Sequence, residues 1–118
     1  MNIIESIMIS YLKEHTQVPV YATLPEDVAL PCIVIEKTAG GYSETLLSAT
    51  VAVQSYDLTL EKAAQLNDTV KWLLLDGFAN LTQILKISLN SDYNFTDTST
   101  ERYRYQAVYD ITYYRKDN

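Results

Sequence analysis

Two residues of this sequence have the chemistry of a catalytic nucleophile or base, and each lies in a setting that favours a structural role. His15 is the single histidine, so any Ser-His-Asp or Cys-His arrangement would have to use it. It falls at the predicted end of a helix, where a histidine interacts favourably with the helix dipole and usually faces solvent. Cys32, the single cysteine, follows Pro31 in an apolar segment, where a thiol behaves as a small hydrophobe. We therefore expect no catalytic role for either residue.

Carboxylates are the remaining candidates for acid–base or metal chemistry. Asp92 and Asp97 flank a polar loop with Asn94 and Thr96, and such an oxygen-rich cluster suits a hard cation. The segment DYNFTD lacks the alternating oxygen donors and the turn glycine of a calcium loop. The sequence therefore favours a solvated turn, with no metal, no cofactor and no enzymatic activity. A hydrolase that uses Asp92 or Asp97 stays as an alternative.

Composition predicts one soluble globular domain spanning residues 1–118. Hydrophobic residues make up 47% of the chain and charged residues 20%, which is ordinary for such a domain. The 15 acidic and 9 basic residues give a formal charge of −6, which opposes binding to nucleic acid and to an anionic membrane surface. No apolar run approaches the roughly 20 residues of a membrane helix, and the N-terminus lacks the basic region of a secretory signal. A single cysteine fits a reducing compartment, so we expect synthesis in a cytoplasm.

Hydrophobic periodicity predicts the order helix, short strand, strand, strand, helix, strand, strand. The first helix runs from an Asn2 cap to His15, and the second runs from a Thr59 cap to about residue 75 and is ended by Gly77. Strands are predicted over residues 18–21, 32–38, 42–57, 80–92 and 101–115, with a polar loop at 94–100. Gly40-Gly41 has no phosphate-binding pattern around it, and we expect it to form a turn or bulge between two long strands.

Alternation along the strands predicts which side of the sheet is buried. On the last strand, the tyrosines 103, 105, 109 and 113 share one face with Ala107 and Ile111, and the other face is largely polar. Strands that come in pairs with short links favour an antiparallel or mixed sheet of long strands with both helices packed on one face. The predicted fold class is α+β. The apolar face of the second helix is predicted to comprise Leu60, Ala63, Ala64, Leu66, Val70, Leu73 and Leu74.

Strands of this length expose backbone edges that a soluble monomer has to cover. Tyrosine and arginine are enriched at protein interfaces, which suggests self-association by sheet extension, whereas an ordinary solvated face is the alternative. A tyrosine platform for single-stranded nucleic acid is disfavoured by the acidic charge of the chain. The residues predicted to lie on an edge strand or outer face, and at a subunit interface, are Gln54, Tyr56, Arg102, Arg104 and Tyr114.

The order of motifs along the chain carries a resemblance. An amphipathic N-terminal helix is followed by Val18-Pro19-Val20-Tyr21 and a Pro31-to-Glu36 strand, then by Gly40-Gly41 and a long strand ending in Val51-Ala52-Val53-Gln54-Ser55-Tyr56. A helix with Ala63, Leu66 and Val70 comes next, and the chain closes with Asp97-Thr98-Ser99-Thr100, Arg102-Tyr103-Arg104-Tyr105 and Tyr109-Asp110-Ile111-Thr112. This order resembles the small tail-terminator, tail-completion and head-tail joining proteins of long-tailed bacteriophages and prophages. Pro31-Cys32 stands where that family commonly has a proline followed by an aromatic residue.

The resemblance implies a structural protein of the virion, made in the host bacterial cytoplasm. Proteins of this family form a ring, commonly a hexamer, that caps the tail tube, stops its polymerisation and presents a surface to the head connector. The implied partners are other copies of the chain, the tail tube protein and the head-connector or neck proteins. DNA is expected to pass through the lumen without specific binding, because an acidic lumen repels it. Alternatives are another neck protein, or a small acidic oligomeric module that binds a ligand or regulates without catalysis.

Overall fold

A computed structural model describes residues 3–100 and 102–115, and over these residues it contains a five-stranded sheet with two α-helices. The strand order is β1-β2-β3-β5-β4; β1 runs parallel to β2, and every other neighbouring pair is antiparallel. The predicted α+β class and order of elements are confirmed. The elements are α1 (Ile4–His15), β1 (Val20–Tyr21), β2 (Cys32–Tyr42), β3 (Leu46–Asp57), α2 (Leu60–Trp72), a π-helical turn (Leu73–Gly77), a 3-10 turn (Phe78–Asn80), β4 (Ile84–Asn94) and β5 (Tyr103–Tyr114).

Helix α1 forms because apolar residues recur every four positions. Ile4, Met8 and Leu12 are fully buried along one side of the helix. The N-cap position is Ile3, which makes no side-chain capping bond; Asn2, the predicted cap, lies outside the described residues. The helix ends where the backbone N–H of Thr16, in extended conformation, donates to the carbonyl of Leu12.

Helix α2 begins at the predicted residue, and its α-helical part ends at Trp72, before the predicted end near residue 75. The hydroxyl of Thr59 accepts a 3.1 Å hydrogen bond from the backbone N–H of Lys62, which satisfies one of the open donors of the first turn. Helical structure continues through the π-helical turn, and Gly77 passes the chain directly into the 3-10 turn. Gly77 is needed for space, because a Cβ atom there would overlap the Tyr11 hydroxyl of α1.

The β2–β3 hairpin contradicts the prediction that Gly40-Gly41 forms a turn. Both glycines lie within β2, paired with Ala49 and Ser48, and the chain reverses over residues 43–45. The bulge lies just before them, where the pairing register shifts between Lys37 and Ala39. Neither glycine has a positive φ, so neither is needed for a turn conformation. A side chain at Gly40 would instead meet the long side chain of Lys37.

One face of the sheet, the helix-side face, packs against both helices and forms the main core. From β3 it buries Ala49, Val51 and Val53, and from β5 it buries Ala107, Tyr109, Ile111 and Tyr113, as the alternation predicts. Opposite them lie Ile4, Met8 and Leu12 of α1, Ala63 and Val70 of α2, and the following Leu74 and Phe78. Both helices therefore lie on one face, as expected.

The opposite face, the outer face, is covered at one end by the segment between β1 and β2. Cys32, Val34 and Tyr56 are buried there beneath a second, smaller cluster whose other members are Tyr21, Leu24, Val28 and Leu30. Burial raises the pKa of the Cys32 thiol to about 11, with the positive charge of Arg102 opposing the shift. Cys32 is therefore a neutral core thiol, which agrees with its predicted structural role.

The last strand is not an edge strand, contrary to the expectation that its backbone would be exposed. β5 pairs with β3 along one side and with β4 along the other. Among residues 3–100 and 102–115, the two-residue β1 is the edge strand beside Ile33 and Val34, and the long strands with an unpaired side are β4 (Ile84–Asn94) and the remainder of β2. We name these the β4 edge (Ile84–Asn94) and the β2 edge (residues 36–42).

Candidate assembly surfaces

The two residues with potential catalytic chemistry, His15 and Cys32, lie in different environments. His15 is exposed at the end of α1, where its ring stacks on Tyr11 at 4.0 Å between centroids and its Nδ1 lies 2.8 Å from the Tyr11 carbonyl oxygen. Cys32 is buried under the outer face. In the described part of the chain, no three side chains of His, Cys, Asp or Glu come close enough to hold a metal ion.

The two carboxylates that flank the polar loop, Asp92 and Asp97, make hydrogen bonds to different partners. Asp92 lies on the helix-side face of β4, accepts a 2.7 Å hydrogen bond from Nδ2 of Asn67, and forms an ion pair with Lys71. Asp97 instead orders its own loop, because its Oδ1 accepts bonds from the backbone N–H of Ser99 at 3.1 Å and its hydroxyl at 2.7 Å. These hydrogen bonds lower the pKa of Asp97. The carboxylates thus tie β4 to α2 and close a turn.

A row of polar and aromatic side chains crosses the outer face beside the Cys32 cluster. We call it the polar row, and its centre is Gln54 of β3 and Gln106 of β5, which are 8% and 7% exposed. Nε2 of Gln54 donates a 2.8 Å hydrogen bond to Oε1 of Gln106. Gln106 in turn donates to the hydroxyl of Tyr93 in β4. The polar row consists of Gln54, Tyr56, Tyr93, Arg104 and Gln106, and it links β3, β5 and β4.

Arg104 is held within the polar row by two aromatic rings and two hydrogen bonds. Its guanidinium lies 4.3 Å from the ring centroid of Phe95 and 5.7 Å from that of Tyr56. Nε donates a 2.6 Å hydrogen bond to the carbonyl of Phe95, and Nη1 donates a 2.8 Å bond to the hydroxyl of Tyr56. Arg104 therefore fastens the start of β5 to the residue that follows β4, in addition to any role between subunits.

The structure brings three of the predicted interface residues together and separates the other two. Gln54, Tyr56 and Arg104 share the polar row on interior strands of the sheet. Arg102 is partly buried just before β5, where its carbonyl accepts a backbone bond from Asp97. Tyr114 is 44% exposed at the far end of β5. All five stay predictions as interface residues.

Sequence reasoning missed the apolar side chains that lie along or beside the β4 edge. Leu85 and Leu89 are 50% and 38% exposed, and Tyr93 and Phe95 are 40% and 39% exposed. Exposed large apolar residues concentrated along one unpaired strand are unusual for a solvated surface. The alternation of β4 is interrupted by register shifts between Ile84 and Lys86 and between Leu89 and Ser91, which hides the pattern from a simple count of every second residue.

A scan against models of known protein families and a search of curated proteins both find no match to this chain. Neither helix in the part of the chain that the structure describes is long and apolar enough to cross a bilayer.

Proposed function

We propose that this chain is a structural tail-terminator or head-tail joining protein of a long-tailed phage or prophage, and that it acts as a ring of identical subunits. The observation that carries the proposal is the pair of sheet edges. Strands of up to 12 residues form a body 44 Å long, and its outermost strand bears exposed leucines beside an edge that no other described strand covers. Such an edge is a template for pairing with another chain.

The resemblance in motif order supplies the identity of the assembly. The confirmed order of elements, with both helices on one face, supports that comparison. On this proposal the ring is a hexamer that caps the tail tube and offers its other side to the head connector. The formal charge of −6 lets DNA pass through the lumen without adhering, because the phosphates and the acidic wall repel each other.

The proposed function also assigns the place where the protein works. It is synthesised in the host bacterial cytoplasm and becomes part of the virion, at the junction of tail and neck. On this proposal the protein acts sterically: it occupies the end of the tail tube and prevents the addition of further tube subunits. The proposed partners are therefore other copies of the chain, the tail tube protein and the head-connector or neck proteins.

The decisive experiment measures assembly and tube capping together. The purified chain is followed by size-exclusion chromatography with light scattering and by negative-stain electron microscopy, with and without preformed tail tubes. We expect rings, formed either in solution or on tube ends, and tubes that stop growing once the protein is added. A strict monomer at high concentration that leaves tube growth unchanged would contradict the proposal.

A further inference from the structure

The directions of the strands show how two copies of this sheet can join. β2 and β5 run one way through the sheet, and β3 and β4 run the other way, because each pair of neighbours from β2 to β4 is antiparallel. The two outermost long strands therefore point in opposite directions. When a second copy is placed beside the first with its helices on the same side, its β2 edge meets the first copy's β4 edge in antiparallel orientation, the geometry that sheets most often use.

We propose that the β4 edge of one copy pairs antiparallel with the β2 edge of the next copy, and that this junction builds the assembly. The inference rests on the proposed ring-forming function and names the contact that the function requires. The junction is heterologous, because different surfaces meet. Repeated by rotation, a heterologous contact closes into a ring when its angle permits, and otherwise grows as a filament.

The side chains of the two edges fix the register of this pairing. Their partners within the sheet place Lys37, Gly40 and Tyr42 of β2 on the helix-side face. By the same criterion, Ile87, Leu89 and Asp92 of β4 also lie on the helix-side face. Opposed residues of an antiparallel pair must lie on the same face, so a shift by one residue would place every side chain wrongly. A shift by two residues also keeps the faces matched, and of these registers the one that aligns the bulges of the two strands pairs Tyr42 with Ile87, Gly40 with Leu89 and Lys37 with Asp92.

Two bulges make this register continuous. The β2 edge carries its extra residue at Thr38 and the β4 edge carries one at Asn90. In the proposed register these two extra residues lie close to each other across the junction. Each extra residue offsets the alternation of side chains along its own strand by one position, so the two offsets cancel and the faces stay matched on both sides of the bulges. On the outer face, between the two bulges, Ala39 then lies opposite Ser91.

The paired side chains are complementary in charge and in size. Lys37 is exposed, and its ammonium would approach the carboxylate of Asp92, which already binds Asn67 and Lys71 but retains lone pairs on both oxygens. The Lys37 side chain lies over Gly40 within the subunit, and once it turns towards Asp92, Leu89 would pack over Gly40, which has no side chain of its own. Tyr42, which is 69% exposed, would cover Ile87.

The main competitor is a two-fold pairing of β4 with another β4. A two-fold axis through Leu89 also keeps the faces matched, but it sets the apolar Ile87 against the charged Asp92 in both halves of the contact. Such a dimer would also leave the β2 edge without a partner from either copy. The opposite charges of Lys37 and Asp92 therefore favour the heterologous junction.

Cysteine cross-linking distinguishes these arrangements. Full-length Ala39→Cys and Ser91→Cys proteins are prepared separately, mixed at a concentration where the wild-type chain is assembled, and oxidised. The paired positions are small residues whose Cβ atoms would lie about 4.5–5.5 Å apart, close to what a disulfide bridges. We expect the mixture to give a cross-linked dimer, each variant by itself to stay monomeric on a denaturing gel, and the double variant to give a ladder ending at the ring size.

The matched control replaces Ser91→Cys with Lys86→Cys, which lies on the same face of β4 but about 16 Å away along the strand. If Ala39→Cys forms as much cross-linked dimer with Lys86→Cys as with Ser91→Cys, the cross-links arise from random collision, and the proposed register is overturned. Rings that form without a cross-link between positions 39 and 91 would overturn the junction while leaving the ring proposal intact. A specific cross-link in an assembly that does not cap tail tubes would support the junction and contradict the proposed function. A chain that neither assembles nor cross-links contradicts both.

Discussion

Gln54 and Gln106 join their side-chain amides by a 2.8 Å hydrogen bond across β3 and β5, on the face of the sheet that no helix covers. Both are almost fully buried, and Oε1 of Gln106 has Gln54 as its donor, whereas Nε2 of Gln106 donates to Tyr93. Replacing Gln54→Leu should lower the free energy of unfolding by about 1–3 kcal/mol, because Oε1 of Gln106 loses its donor and the Tyr56 hydroxyl loses an acceptor. The double replacement, Gln54→Leu with Gln106→Leu, should cost less than the sum of the two single changes. Urea denaturation of the four proteins measures this coupling, and strict additivity would show that the bond contributes nothing.

Arg102 and Arg104 should respond differently to charge reversal, although both are predicted interface residues. Arg104→Glu removes two hydrogen bonds and two ring contacts within the chain, and we expect it to lower the free energy of unfolding by about 2–3 kcal/mol. Arg102→Glu should leave the circular dichroism spectrum and stability nearly unchanged. It therefore tests the interface role cleanly: a protein that folds but no longer assembles would support that role, and normal assembly would exclude it. Arg104→Lys is the matched control, since it keeps the charge and loses the planar hydrogen-bonding group.

Tyr109 should make the fold sensitive to alkaline pH. Its hydroxyl is fully buried and has no hydrogen-bond partner among the residues that the structure describes. Burial, aided by the negative charge of Asp92, raises the pKa of Tyr109, and burial also raises that of Tyr113. A pKa raised in the folded state leaves stability intact below the unfolded value, near pH 10, and lowers stability as the pH rises above it. The Cys32 thiol acts in the same direction from about pH 9 to 11.

Tyr109→Phe tests this explanation directly. Removing an unsatisfied hydroxyl from the core should raise the free energy of unfolding at pH 7 by about 1 kcal/mol and flatten its decline above pH 10. Denaturant titrations at a series of pH values measure both effects. Tyr114→Phe is the control, because that residue is 44% exposed and its removal should alter neither. A marked loss of stability in Tyr109→Phe would mean that the hydroxyl has a partner.

Gly77→Ala should destabilise the contact between α1 and the turn that follows α2. A Cβ atom at residue 77 would occupy the space of the Tyr11 hydroxyl, so one of the two segments has to move. We expect a loss of about 1–3 kcal/mol, typical of overpacking. The double variant Gly77→Ala with Tyr11→Phe should recover part of it, since the overlapping oxygen is gone. No recovery would place the strain in the backbone, and thermal unfolding monitored by circular dichroism distinguishes the two outcomes.

Local patterns predicted the parts of this fold that local forces determine. Thr59 caps α2 as expected, and the alternation that places Val51 and Tyr109 in the core is observed. These features depend on the conformation of a few consecutive residues and on one burial direction, so their periodicity is visible in the sequence.

Features set by long-range contacts were predicted poorly. Asn67 is buried on α2 because it donates to Asp92 of β4, whereas Leu60, expected in the core, is 39% exposed. The position of β5 between β3 and β4 is likewise a tertiary property, and it leaves the unpaired strand side on β4 and not on the last strand. Gln54 and Tyr56 looked solvent-facing by alternation, but Tyr56 is covered by the segment that precedes β2, and both take part in the polar row.

The bulges at Thr38 and Asn90 constrain how this protein can change length during evolution. Deleting Thr38 would remove the bulge and leave Lys37 and Ala39 as consecutive residues opposite Val51 and Thr50, so the β2–β3 hairpin itself would keep its faces. If the two strands meet across a subunit boundary, deleting one bulge residue would leave the other bulge unmatched at the junction, so a deletion in one strand would favour a compensating deletion in the other. Gaps at these two sites should therefore be inherited together among natural variants, even though more than 50 residues separate them along the chain.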